Sequence, residues 1–291
     1  MDEIVVGRCL GCGSGSVIDL PQRGAEGIND YSSGYEAELD PRKAERCWRL
    51  FCEWTGGPAG AGSILDVGCG EGAFLDLARE AGLLTAGVEI AGPAASVAAE
   101  RGHRIFNCSI TDGSIPGDGS FDIVTLWDVL EHLPWPARSL RWVQGALRPG
   151  GRLLIVTPMM GSLYDRLGVA LHGISGGRFD KLAKLCWNRD HLFRFHPVGV
   201  RKVLTRMGFD RVRVAPVLLL SLGADCYAGD RLAESWTRRP WLDRAISRAG
   251  VGLARAFGLQ NKMIVAATKA ETEPPPMGVG PPDGPAAEGR D

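Results

Sequence analysis

The 291-residue sequence lacks a long apolar run, a leader-like N-terminus and a strong net charge. Its longest apolar stretch is VAPVLLLSLGA at 214–224, which is shorter than the roughly 18 residues that a membrane-spanning helix needs. The start, MDEIVVGRC, has no basic segment before an apolar one, so we expect no secretory signal and a cytoplasmic location. With a net charge of −1 and no recognisable reader motif, a nucleic-acid partner is not predicted.

Cysteines suited to cross-links or metal binding are also few. The 8 cysteines are irregularly spaced, which argues against a disulfide framework and favours reduced thiols. Cys9-Leu-Gly-Cys12 has the spacing of a zinc ligand pair, but no second Cys-x-x-Cys follows and a structural zinc needs four ligands. We therefore interpret residues 1–30 as an N-terminal segment that keeps half of a zinc knuckle, in preference to a bound zinc.

Charged residues are plentiful but unevenly divided along the chain. Residues 1–137 contain 9 basic and 21 acidic side chains, whereas residues 138–213 contain 15 basic and 4 acidic ones. The basic region is interpreted either as an arginine-rich solvated face or as a surface that attracts an anionic acceptor or an acidic carrier.

Apolar segments of strand length alternate with helical patterns along most of the chain. The strand-like segments begin at SILDV, residues 63–67, and end at MIVAAT. This alternation predicts an α/β domain over 31–270, with a parallel sheet covered by helices on both faces. Insertions near 159–190 and 220–260 interrupt the domain, and the proline- and glycine-rich tail 271–291 is expected to be disordered.

The stretch ILDVGCGEG, residues 64–72, ends the first of these strands with three glycines. A glycine-rich loop before a helix suits the pyrophosphate of a dinucleotide or another ligand that approaches the backbone closely. Asp66 lies two residues before Gly68, where its charge would repel a pyrophosphate and attract a cation. The helix N-terminus that follows favours a single carboxylate group on the ligand.

A second carboxylate, Glu89, follows the next predicted strand, 23 residues after Asp66. A carboxylate at this position can accept hydrogen bonds from both hydroxyls of a ribose, the alternative being an exposed glutamate at a strand end. A nucleoside that also carries a cation and a carboxylate is S-adenosylmethionine. The residues favour this cofactor over a nicotinamide dinucleotide, which remains a rival.

Five motifs occur in a fixed order along the chain: LDVGCGEGAFL, GVEI, SFDIVTLWDVLEHL, LRPGGRLLIVTP, and HLFRF followed by GF. In this order and spacing they resemble the class I S-adenosylmethionine-dependent methyltransferases. More narrowly, they resemble the small-molecule branch that includes ubiquinone-biosynthesis O-methyltransferases. The resemblance covers residues 31 to 215 and implies a Rossmann-like, seven-stranded, mostly parallel sheet with insertions after strands 5 and 6.

The resemblance implies cofactor contacts in the first two loops. Asp66, Gly68 and Gly70 would contact the methionine part of the cofactor. Glu89 would bind the ribose, and Ile90 would pack on the adenine.

Further contacts are implied beyond these loops. Where the family often has Gly-Asp after strand three, this chain has Cys-Ser, so Ser109 and the backbone of Ile110 are the candidates near the adenine. Trp127 would lie beside the transferring methyl group, its alternative being a core tryptophan. Tyr35, in the N-terminal YSSGY, would belong to a lid over the cofactor.

Two histidines are candidates for a catalytic base. Methyl transfer depends first on alignment, and a general base adds about 10²- to 10⁴-fold where the acceptor is a hydroxyl. His132 ends the run DVLEH and His191 opens HLFRF, and either could receive the acceptor proton near neutral pH. Each could instead order the segment beneath the site.

The run DVLEH, residues 128–132, also contains three potential metal ligands. Asp128, Glu131 and His132 are spaced i, i+3 and i+4, which places them on one face if the segment is helical. Some ubiquinone-type relatives use a related acidic, acidic, histidine set to bind a divalent ion. Here the first residue is aspartate, and a divalent metal is not favoured.

The sequence thus predicts an enzyme that moves a methyl group from S-adenosylmethionine to a hydroxyl oxygen of a small molecule, with an anionic acceptor as one option. The two insertions are expected to cover the acceptor. One alternative is N- or C-methylation of a sugar nucleotide or a carrier-bound intermediate. Another is a non-catalytic cofactor-binding protein with an interaction surface at 228–257.

Overall fold

The computed structural model describes residues 6–17, 41–110, 119–162, 166, 170, 173–175, 191–217 and 262–271. Residues Leu130–His132 form a 3-10 turn. The other elements, in chain order, are β1 Val6–Arg8, β2 Gly15–Val17, α1 Pro41–Thr55, β3 Ser63–Val67, α2 Ala73–Glu80, β4 Leu84–Val88, α3 Gly92–Glu100, β5 Arg104–Phe106, β6 Phe121–Trp127, α4 Pro136–Ala146, β7 Leu147–Pro158, β8 Phe193–Arg194, α5 Pro197–Arg206, β9 Phe209–Val217 and β10 Lys262–Lys269.

The main sheet has seven strands in the order β5-β4-β3-β6-β7-β10-β9. Strands β3 to β7 pair in parallel, and β10 pairs antiparallel with both β7 and β9. This confirms the predicted seven-stranded, mostly parallel sheet. In this order, β4 lies on one side of β3, and β6, which comes later in the chain, lies on the other side of β3. Ligands of open α/β sheets bind at the carboxyl ends of the strands beside such a reversal.

The apolar core lies on both faces of the sheet. Consecutive strand residues point to opposite faces, so Ile64 and Leu65 of β3 enter different clusters. Ile64 packs in the cluster with Phe74 of α2, and Leu65 packs in the cluster with Leu140 of α4. Every residue of β6 is buried, because the central strand is covered on both sides.

A second, three-stranded antiparallel sheet joins β1, β2 and β8. Gly15 lies opposite Arg194 and Ser16 opposite Phe193, so the described part of the N-terminal segment pairs with the HLFRF motif. The sequence does not predict this sheet, since strands of two or three residues are too short to show a period.

Several predicted features lie outside the described residues. They are the Tyr35 lid, most of the 159–190 insertion, the 220–260 insertion with the 228–257 surface, and the tail beyond residue 271. Within the ranges that are described, no helix is long and apolar enough to cross a membrane.

Candidate active site

The glycine loop after β3 adopts a backbone that glycine alone accommodates easily. Gly68, Gly70 and Gly72 have φ angles of 72°, 54° and 85°, in the left-handed region that other residues rarely occupy. The N–H of Gly68 donates to the carbonyl of Val88 at 2.7 Å. A Cβ added to Gly68 would lie 2.4 Å from Val129 Cγ2, whereas one added to Gly70 would meet no atom of the described residues within 4 Å. The backbone at Gly70 therefore borders open space that a ligand can enter.

Glu89 connects this loop to the loop after β4. Its side chain is 9% exposed. One carboxylate oxygen accepts from the N–H of Gly70 and the other from the N–H of Ala91, each at 2.8 Å. A carboxylate oxygen can accept more than one hydrogen bond, so both oxygens keep capacity for a ligand hydroxyl.

Asp66 is buried beneath the glycine loop. It is 2% exposed, and its Oδ1 accepts a hydrogen bond from Thr125 Oγ1 at 2.6 Å. The pKa of Asp66 is raised to about 7, chiefly by burial; the hydrogen bond from Thr125 opposes this shift, and the charge of Glu89 contributes to it. The charge of this carboxyl group is therefore sensitive to a cation that binds beside it.

The side expected to hold the adenine contains one exposed apolar residue and one missed polar residue. Ile90 is 40% exposed. Asn107, which the sequence analysis did not single out, donates from Nδ2 to the carbonyl of Glu89 at 2.8 Å. Ser109 is half-buried, and the side chain of Ile110 packs in the core, so its backbone alone is available to a ligand.

Trp127, the last residue of β6, packs in the core cluster and borders the site. Its ring meets Phe74 edge to face at a centroid distance of 5.3 Å. The side chain is 9% exposed, and its buried Nε1 has no hydrogen-bond partner among the described residues. Aromatic packing thus holds the indole in place, and its Nε1–H can donate a hydrogen bond to a ligand.

Asp128, Glu131 and His132 do not share a helical face, contrary to the spacing argument. Asp128 has a φ of 58°, and the 3-10 turn begins only at Leu130. Asp128 Oδ2 instead accepts from Lys262 Nζ at 2.5 Å. Burial alone would raise the pKa of Asp128, but the charges of Lys262 and Lys43 lower it overall.

Glu131 is fully buried, with 0% exposure. Its Oε2 accepts from Thr157 Oγ1 at 2.9 Å, and its Oε1 has no partner among the described residues. Burial raises the pKa of Glu131 to about 8, and the charge of Asp128 adds to this shift. The side chain is therefore largely protonated at neutral pH.

The fold brings together the two histidines that the sequence singles out. The rings of His132 and His191 are 4.9 Å apart at an angle of 68°. The pKa of His191 is lowered to about 3, mainly by burial and to a smaller extent by the charges of His132 and Lys262. Glu131, His132 and His191 offer potential metal-ligand atoms within 4.8 Å of one another. Compared with the set considered from the sequence, this group contains His191 in place of Asp128, which is paired with Lys262.

Three polar residues missed by the sequence analysis support the two sides of the site: Thr125 donates to Asp66, Thr157 to Glu131 and Lys262 to Asp128. Thr125 and Thr157 are fully buried on β6 and β7, and Lys262 begins β10. Hydroxyl residues inside otherwise apolar strands are a weak signal that could have indicated the two threonines. No local pattern marks Lys262, because its partner Asp128 is 134 residues away.

Arginines of the basic region hold backbone and carboxylate groups of the fold. Arg148 pairs with Asp122 at 2.5 Å. Arg152 donates to the carbonyl of Thr55, the last residue of α1, and to that of Gly57 in the loop that follows. The buried Arg194 donates to the carbonyl of Met159. These contacts give part of the basic region a structural role, and an anionic acceptor remains a prediction.

A family model described as Methyltransferase domain matches residues 43–214. Curated relatives include the Ubiquinone biosynthesis O-methyltransferase of Aromatoleum aromaticum, 33% identical over 37% of this chain and 50% of the relative. The enzyme of the same name from Idiomarina loihiensis is 35% identical over 32% of this chain and 41% of the relative. The chain thus spans at most about half the length of these curated relatives.

Solved structures of low sequence identity share the fold. A SAM dependent methyltransferase from Archaeoglobus fulgidus superposes with a TM-score of 0.51 at 21% identity, over 78% of this chain and 94% of that one. Haemonchus contortus Phosphoethanolamine N-methyltransferase 2 superposes with a TM-score of 0.53 at 18% identity, over 87% of this chain and 59% of that one. The family match over more than half of the chain, with this sheet order, shows that the protein belongs to the class I S-adenosylmethionine-dependent methyltransferases.

Proposed function

We propose that this chain transfers the methyl group of S-adenosylmethionine to a hydroxyl oxygen of a small-molecule acceptor. The observation that carries the proposal is a cluster of buried polar atoms without partners in the described residues. They are Trp127 Nε1, Asp128 Oδ1 and Glu131 Oε1, all at the carboxyl end of β6. Buried polar atoms are normally hydrogen-bonded, so such a cluster favours a ligand that supplies the missing partners.

The residues on the cofactor side fit the proposed methyl donor. The open space beside Gly70 and the exposed Ile90 suit a nucleoside that lies across the glycine loop. Glu89 suits the ribose hydroxyls, since both of its oxygens are fixed by backbone N–H groups. Asp66 suits the cationic part of the donor, because a nearby positive charge favours its ionised form.

The acceptor side supplies a proton acceptor and orienting groups. When bound, S-adenosylmethionine would supply an activated methyl carbon, and its sulfur would keep the electron pair of the broken carbon–sulfur bond as the acceptor oxygen bonds to that carbon. The hydroxyl proton passes to an imidazole nitrogen of His132. His191 is a poor proton acceptor at neutral pH because its pKa is lowered to about 3, so we assign it the role of positioning the His132 ring.

Glu131 and Asp128 present their unpartnered oxygens beside this base. Because burial raises its pKa, Glu131 can hold a proton and donate a hydrogen bond, whereas Asp128, whose pKa is lowered by Lys262 and Lys43, accepts one. An acceptor that carries neighbouring hydroxyl groups satisfies both requirements. Oxygen methylation also agrees with the names of the curated relatives.

The test is product analysis with a methyl-labelled donor. The purified chain would be incubated with ¹³C-methyl S-adenosylmethionine and panels of phenols, sugar derivatives and amines, and the products read by mass spectrometry and NMR. We expect a methyl carbon bonded to oxygen. A methyl group on nitrogen or carbon would overturn the oxygen assignment, and donor binding without transfer to any acceptor would favour the non-catalytic alternative.

A further inference from the structure

His103 is a buried histidine that the proposed function does not use. Its side chain is 0% exposed, and both nitrogens of its ring have partners. Nε2 lies 3.2 Å from Asp76 Oδ1, in the first turn of α2, and Nδ1 lies 2.8 Å from Thr85 Oγ1, in β4. The imidazole therefore joins helix α2 to strand β4.

The surroundings of the ring determine which nitrogen donates. Burial lowers the pKa of His103, although the charge of Asp76 acts in the opposite direction, so the imidazole is uncharged at neutral pH. A carboxylate can only accept hydrogen bonds, so the Nε2–H donates to Asp76 and Nδ1 accepts from the hydroxyl of Thr85. The link between α2 and β4 thus consists of two hydrogen bonds of fixed direction.

The same ring lies against Gly72, the last glycine of the loop after β3. A Cβ added to Gly72 would lie 2.8 Å from His103 Cδ2, so the ring fills the space that a side chain would need. Gly72 is the N-cap of α2, and its carbonyl accepts from the N–H of Asp76 at 2.9 Å. The imidazole therefore contacts both residues of this hydrogen bond at the start of the helix.

Two arginines hold Asp76 in place beside the ring. Arg101 Nη1 donates to Asp76 Oδ2 at 2.5 Å, and Arg79 Nη2 donates to Asp76 Oδ1 at 2.8 Å. Together with His103, they give the carboxylate three charged or polar partners. The position of the imidazole is therefore transmitted to the first turn of α2 through a side chain that is itself fixed.

Helix α2 and strand β4 are adjacent to the two loops that the proposed function assigns to the cofactor. The glycine loop precedes α2, and Glu89 follows the last residue of β4. A hydrogen bond from the N–H of Gly70 to Glu89 joins the two loops directly, and His103 joins the helix and the strand next to them. With both links present, the distance between the glycine loop and Glu89 is set before a ligand binds.

We propose, on the basis of the cofactor contacts assigned under the proposed function, that His103 is a positioning residue for S-adenosylmethionine. Its imidazole sets the distance between the glycine loop and Glu89, so that the methionine part and the ribose are bound at the same time. Groups that bind one ligand need to be held within about 0.5 Å of their productive positions by the residues behind them. Loss of the imidazole should therefore weaken a ligand that spans both loops and spare a ligand that occupies only one.

The test compares S-adenosylmethionine, which spans both loops, with 5′-methylthioadenosine, which lacks the amino-acid part. His103→Asn keeps a polar group for Thr85 but is too short to reach Asp76. We expect the Kd of S-adenosylmethionine to rise roughly five- to tenfold, the effect of one lost hydrogen bond, and the Kd of the nucleoside to stay unchanged. Calorimetry on the full chain, direct for the cofactor and by displacement for the nucleoside, measures both constants.

Further variants separate positioning from a loss of stability. Thr85→Val removes the other hydrogen bond while keeping the shape of the side chain, and it should give the same pattern. Val143→Ala, at a fully buried residue of α4, should lower the thermal unfolding temperature and leave both Kd values unchanged.

Two results would overturn the proposal. One is an equal weakening of both ligands in His103→Asn, and the other is an unchanged Kd of S-adenosylmethionine in both His103→Asn and Thr85→Val. Failure of the unmodified chain to bind S-adenosylmethionine would instead contradict the proposed function itself.

Discussion

The two halves of the site, one at the ends of β3 and β4 and the other at the ends of β6, β7 and β10, are built differently. On the cofactor side, both oxygens of Glu89 are already bonded to backbone N–H groups. On the acceptor side, Asp128 Oδ1 and Glu131 Oε1 are buried and lack partners in the described residues. The first half is therefore ordered before a ligand arrives, whereas the second half needs a ligand to complete its hydrogen bonds.

The largest expected effect comes from the acceptor side. His132→Ala should lower kcat by about 10²- to 10⁴-fold, the usual contribution of a general base, and should leave the Kd of the cofactor unchanged. Steady-state kinetics and calorimetry would measure the two quantities. His191→Ala is the comparison variant. Because His132 remains as the proton acceptor, the pH dependence of kcat in this variant should keep the form that it has in the unmodified protein. If His132→Ala weakened cofactor binding by as large a factor as it lowers kcat, the two halves of the site would not act separately.

A smaller effect is expected from the cofactor side. Glu89→Ala should weaken cofactor binding by about 1.5 to 3 kcal/mol, the value of hydrogen bonds to a charged group. The kcat at saturating cofactor should change little, because Glu89 does not contact the acceptor side. Glu80→Ala, at an exposed glutamate that ends α2, is the control. An unchanged cofactor Kd in Glu89→Ala would remove the ribose assignment.

The ion pair between Asp128 and Lys262 tests whether the acceptor side also stabilises the fold. Lys262→Met leaves the Asp128 carboxylate without its cation, and we expect a loss of roughly 1 to 3 kcal/mol in the free energy of unfolding. Adding Asp128→Asn should recover part of this loss, since no unpaired charge then remains. Lys202→Met, at an exposed lysine of α5, is the control. Strictly additive losses in the double variant would show that the pair is not coupled.

The smallest effect is a proton released on cofactor binding. Burial raises the pKa of Asp66 from 3.8 to about 7, so the free protein holds this proton below pH 7. A bound cation stabilises the carboxylate and lowers its pKa, so binding should release up to one proton near pH 6 and progressively less as pH rises above 7. Calorimetry in buffers of different ionisation enthalpy measures this release. Asp66→Asn should abolish it, and persistence of the release would assign the proton to another group.

The sequence was sufficient to predict features that depend on residues close together in the chain. The alternation of strands and helices predicts the sheet, and the three glycines after Asp66 predict a loop that a ligand can approach. The histidines His132 and His191 could be selected as candidates, but their contact could not be deduced. The helical spacing of Asp128, Glu131 and His132 was misleading, because the left-handed backbone at Asp128 breaks the period.

By itself, the sequence determined the family, the class of sheet and the position of the two carboxylates near the carboxyl ends of β3 and β4, because each depends on residues within short segments of the chain. Only the tertiary structure decided which distant groups meet: Lys262 with Asp128, His191 with His132, and the N-terminal hairpin with β8. These contacts depend on strand order and register. Burial of apolar side chains over the whole sheet sets both, and no single motif encodes them.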